Sequence, residues 1–103
     1  MKAVLHRRTA SGSGMTRAAE SIAFNIVEGC GSSSQKELAR FLDISIKSAS
    51  ELDYQLLLAR DYRVLADTEW KPLSEATIDL RRMLCGLRAK VLEPGAPESI
   101  NHG

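Results

Sequence analysis

The sequence predicts an all-α protein, an up-and-down antiparallel helical bundle with three helices in view. Three observations predict it. Apolar or small residues recur in alternating steps of three and four over three separate stretches, the spacing of one buried side of a helix. The connections between those stretches are short, which sets consecutive helices antiparallel. No stretch shows the period-two alternation of a strand.

Residues 1–14, MKAVLHRRTASGSG, lack a convincing period and close on serine and glycine. They read as a flexible basic lead-in with a short turn near Ala3 to Arg8. Residues 15–28 place Met15, Ala18, Ala19, Ile22, Ala23, Ile26 and Val27 on one broad apolar face, whose alanines let another helix approach closely. Phe24 falls beside that stripe, a position suited to contact with another subunit. Asn25 stands four residues after Ser21 and needs a hydrogen-bond partner if it is buried. Gly29-Cys30-Gly31 ends the run, with a glycine expected in the left-handed conformation that closes a helix. The Gly-Lys-Ser/Thr of a phosphate loop does not follow.

The longest run starts at Ser34 and reaches residue 61. Leu38, Leu42, Ser45, Ala49, Leu52, Leu56 and Ala59 form its seam, and neither glycine nor proline interrupts it. Ser34 and Glu37 stand in the relation of a capping box. Asp43 and Lys47 are spaced to pair on the outer side. After Val64-Leu65-Ala66 a last helix spans about residues 69–92, capped by Asp67 or Thr68, with Pro72 near its first turns. Trp70, Leu73, Thr77, Leu80, Leu84, Leu87 and Val91 keep the same alternation until Glu93-Pro94-Gly95 stops it. The organisation is a lead-in over 1–14, a helical domain over 15–93 and a disordered tail over 94–103.

With 103 residues there is room for one domain and one modest core. Lys plus Arg number 14 against 13 for Asp plus Glu, so the overall balance selects no polyanionic partner. Cys30 and Cys85 have neither metal-ligand spacing nor the density of a disulfide scaffold, and reduced thiols in a cytoplasmic protein are expected. The basic start carries no apolar signal core, and no apolar run nears the ~20 residues of a membrane span. His6 and His102 are isolated residues in the two tails and read as solvated.

Three motifs connect the chain to a known family. R-A-A-x-S-I-x-x-N-I-x-E-G-x-G runs from Arg17 to Gly31, S-x-K-E-L-x-R-F-L-x-I from Ser34 to Ile44, and S-x-x-E-L-x-x-x-L-x-L-A from Ser48 to Ala59. In them the chain resembles the four-helix-bundle family of 23S rRNA intervening sequence proteins, with which the accessory proteins of diversity-generating retroelements are grouped. The resemblance implies a bundle that assembles into a homo-oligomer, a ring-like pentamer. It also implies a basic surface meeting RNA, DNA or a reverse transcriptase complex, and no enzymatic activity. Three features depart from the family pattern. Residues 1–14 hold no counterpart of its aromatic first helix, Ser32 replaces a basic residue, and Ser45 and Lys47 stand where small alanine and glycine are usual. A four-helix core lacking one helix leaves an apolar groove, and the expectation is either that a neighbouring subunit fills it or that the chain is a truncated, weakly stable relative.

The expected function is that of a non-catalytic oligomeric bundle, accessory to an RNA- or DNA-containing complex, without cofactor, metal or small-molecule substrate. Arg17, Lys36, Arg40 and Lys47 are the candidate nucleic-acid contacts, the last three near one side of the long helix. Phe24, Asn25, Leu38, Leu42, Leu52 and Leu56 are the candidate packing and oligomer contacts. An alternative is a helix-turn-helix DNA-binding protein, with a break near Asp43 and the segment from Ser45 entering the major groove. That motif often carries a glycine at its turn, which is missing here. Trp70, Tyr54 and Tyr62 could stack on bases or serve packing at helix ends. A di-iron site needs Glu-x-x-His on each of two helices, and neither histidine follows a glutamate at that spacing.

Overall fold

A computed structural model describes the backbone of residues 2–95 and the side chains of residues 14–95. Three helices follow one another, α1 (Lys2–Cys30), α2 (Gln35–Asp61) and α3 (Asp67–Val91). α1 takes in the stretch that reads as a lead-in. Once a helix is nucleated each further residue adds a backbone hydrogen bond at little cost. Gly12 and Gly14 lower the local propensity by about 1 kcal/mol each without removing a donor. His102 and most of the expected tail, residues 96–103, lie outside the described residues, as does the side chain of His6.

The centre of the molecule is α2. α1 and α3 each lie antiparallel against it and, among the described residues, not against each other. Ile22, Leu38, Leu42, Ala49, Leu84 and Val91 form one buried cluster, with Ile26, Ile46, Leu52 and Leu80 packed at its edge. Leu42 and Ala49 are almost wholly buried because side chains from both flanking helices converge on the side of α2 between them.

The two helix pairs are joined differently. Between α1 and α2 the contact is close and lined with small residues. A Cβ added at Gly29 would stand 2.8 Å from Leu38 Cδ1, too near for the side chain to stay where it is. Gly29 is therefore the floor of a helix crossing rather than the left-handed cap that its position suggests, and it lies within α1. The chain leaves α1 through Gly31 N–H donating to the carbonyls of Val27 and Glu28 and Ser32 Oγ donating to that of Gly29 at 2.6 Å. Serines complete the seam. Ser45, fully buried, donates to the Ile22 carbonyl at 3.1 Å, and the hydroxyls of Ser21 and Ser48 meet at 2.7 Å. Asn25 finds the partner it needs by donating to the Ser21 carbonyl at 2.8 Å.

Helix ends follow local chemistry. Ser34 caps α2, its hydroxyl accepting from Glu37 N–H at 3.1 Å. The last helix is capped at Ala66 instead of Asp67 or Thr68. Glu69 reaches back to the Ala66 N–H at 2.9 Å, so the carboxylate saves the donor and no hydroxyl is required. Pro72 sits in the second turn of α3. Asp43 pairs with Arg88 of α3 and not with Lys47.

α2 closes with Arg63 N–H donating to the Arg60 carbonyl and Val64 N–H to that of Ala59, the paired bonds of a Schellman motif. This puts Arg63 at φ 60°, a left-handed position that favours glycine. Arg63→Gly is expected to stabilise the fold by roughly 0.5–1 kcal/mol in urea denaturation, because relief of the backbone strain exceeds the added freedom of the unfolded chain. A destabilised variant would show that the arginine side chain contributes more than its backbone costs.

Candidate nucleic-acid interface

α2 buries one side and turns the other to solvent. Lys36, Arg40 and Lys47 are all exposed, and steps of four and seven residues keep them near one line along the outer side. The antiparallel α3 brings Arg88 beside Asp43, between Arg40 and Lys47. Two turns back along the same side of α3 stands Arg81, also exposed. The first turn of α2 and the last of α3 enclose an open groove of about 580 Å³, in which Lys36, Arg40 and Arg88 stand with Ser34, Glu37 and Asp43. The N-terminal end of α2 adds the partial positive charge of its free N–H groups.

This face can hold phosphate oxygens. Three cations in the groove, with Lys47 further along the helix, outnumber the two carboxylates, and Asp43 already serves Arg88. Arg40 also lies over the ring of its neighbour Phe41, 4.6 Å from guanidinium to centroid, which holds the long side chain against the surface. Arg88 and Arg81 were missing from the sequence reading. Their seven-residue spacing was visible, but the side of α3 that meets α2 was not.

The structure divides the other candidates. Arg17 is on α1 and lines a separate shallow hollow with Glu20, Ser21, Phe24 and Asn25, so it is not part of the groove. Phe24 is 61% exposed beside that hollow, Asn25 is buried in the serine seam, and Leu38, Leu42 and Leu56 are core with Leu52 half-buried. Trp70 is half-buried beneath Arg60 at 4.3 Å and serves the α2–α3 end, while Tyr54 and Tyr62 are exposed. Among the described residues no three of His, Cys, Asp and Glu are grouped to hold a metal ion. None of the helices there is long and apolar enough to cross a membrane.

The helix-turn-helix alternative is overturned by α2 itself. The helix runs from Gln35 to Asp61 without a break, and Ser45, which would have to enter a groove of DNA, is buried against Ile22. The apolar seam continues on either side of Asp43, so a turn there would expose Leu42 and Ala49 to water.

No curated protein and no solved structure was found to match the chain. A family model does, over residues 4–86, about four-fifths of the length, and the three-helix packing along a serine- and alanine-rich seam is of the bundle kind expected from the motifs. The chain belongs to the 23S rRNA-intervening sequence protein family.

Proposed function

We propose that this chain is a non-catalytic, homo-oligomeric helical bundle that acts as an accessory in an RNA- or DNA-containing complex. It holds a nucleic-acid backbone along the outer side of α2. The observation that carries this reading is the line of Lys36, Arg40 and Lys47, joined by Arg88 from α3 at one groove. Contacts of this type position a strand through its phosphates and are indifferent to sequence. Membership of a family named for a ribosomal RNA insertion favours RNA as the strand.

The test is a gel shift with a structured RNA at about 50 mM salt, where phosphate contacts are strongest. Changing Lys36, Arg40 and Lys47 together to Glu is expected to weaken binding at least about tenfold and to flatten its salt dependence, by about 0.7–0.9 in the logarithmic slope for each lost contact. Arg17→Glu, outside the groove, is expected to change binding much less. No shift by the unaltered protein at low salt would end the proposal.

A further inference from the structure

The groove between the first turn of α2 and the last of α3 holds a group that a phosphate site does not need. Of its two carboxylates, Asp43 is engaged by Arg88. Glu37, among the described residues, has neither a hydrogen-bond nor an ion-pair partner for its side chain. It stands three residues after Ser34, where a capping-box carboxylate would reach back to the cap. Only the other half of that box is made, the Glu37 N–H donating to the Ser34 hydroxyl. A free carboxylate beside Lys36, Arg40 and Arg88 weakens their hold on a phosphate. The lining also has an apolar part, with Ala39 buried and Leu92 49% exposed. At about 580 Å³ the groove is within the size range of small-molecule sites and larger than one phosphate group fills.

Cations, an apolar surface and a free carboxylate in one groove match a whole nucleotide. We propose that the groove receives one unpaired guanine of an RNA strand, its base against Ala39 and Leu92 and its Watson–Crick edge on Glu37. The inference rests on the reading of this face as a nucleic-acid interface and adds a base to it. An ionised carboxylate is an acceptor only, with two oxygens side by side. Guanine presents two adjacent donors on that edge, a ring N–H and an amino group. Adenine, cytosine and uracil each set a donor beside an acceptor, so a carboxylate opposite them meets a lone pair. The base has to be unpaired, because a paired cytosine takes the same donors and the major groove of an RNA duplex is too narrow for side chains. Lys36, Arg40 and Arg88 then hold the phosphates on either side. Those contacts are blind to sequence, and Glu37 supplies the discrimination.

The experiment is fluorescence anisotropy with the full chain and labelled RNA strands of about ten nucleotides. One strand is uridine with a single central guanosine, the second carries adenosine there, and the third sample is the guanosine strand annealed to its complement. The unaltered protein is expected to bind the guanosine strand at least about tenfold more tightly than the other two. Glu37→Gln puts a donor opposite the base, and it is expected to lose most of that preference. It also binds the adenosine strand more tightly, since a repelling charge has gone. Glu37 is exposed and its backbone N–H still meets Ser34, so helicity by circular dichroism stays unchanged. Should helicity fall, inosine in place of guanosine reads the same contact on the unaltered protein, with a several-fold loss for the missing amino group. Glu37→Gln tightening both strands equally would overturn the guanine site and leave the backbone reading standing. So would an adenosine strand or duplex held as well as the guanosine strand. No binding to any of the three would end both.

Discussion

Leu42→Ala is expected to cost about 3–4 kcal/mol in urea denaturation, the largest loss from any single truncation in this chain. Leu42 is 1% exposed and sits where side chains from α1 and α3 close over α2. Removing its branched end empties space that no single helix can fill by sliding, since α1 and α3 are both held to α2 by polar contacts at fixed heights. Cavity cost therefore adds to the lost transfer energy. For a domain whose total stability is of the order of 5–15 kcal/mol, this is a third or more of the reserve at the lower end. Leu57→Ala, on the exposed side of the same helix, is expected to cost less than about 1 kcal/mol. Equal losses at the two positions would mean that Leu42 is not the point where both helix pairs meet.

Ser45→Leu is expected to cost about 3 kcal/mol, and Ser45→Ala only about 1 kcal/mol. The hydroxyl donates to the Ile22 carbonyl in a site with no exposure to water. Alanine removes that bond and leaves a carbonyl that is still engaged within α1, so the loss is small. Leucine adds three carbons where the backbones of α1 and α2 come together. To admit them the helices must separate, which also parts Ser21 from Ser48 and draws Leu38 away from Gly29. Urea midpoints of the two variants at equal slope decide the matter. If alanine were as damaging as leucine, the hydrogen bond and not the close approach would hold the seam.

Much of this was legible from residues alone where the signal is local. α2 announces its start through Ser34 and its buried side through the spacing of Leu38, Leu42, Ala49 and Leu56, because capping and helical period act within a few residues. The terminal boundaries of α1 and the cap of α3 were less legible. Glycines at positions 12 and 14 weaken a helix without ending it, and Glu69 caps Ala66 by a side-chain reach that competes with two better-known capping residues. Gly29 carried two physical meanings, a turn and a close approach, and only packing against Leu38 separates them. The candidate groove was half visible. Lys36, Arg40 and Lys47 share one helix and could be lined up by counting, whereas Arg88 arrives from 45 residues away and its partner Asp43 had a plausible neighbour in Lys47.

Among the described residues α1 and α3 each pack on α2 and not on each other, so the helix pairings there join elements adjacent in sequence. Ordering either hairpin requires closing only one short loop, and neither must wait for the other. Chains of this low contact order search quickly for their native arrangement. The same wiring predicts uneven stability, with the amides of α3 expected to exchange before those of the serine-laced pair of α1 and α2.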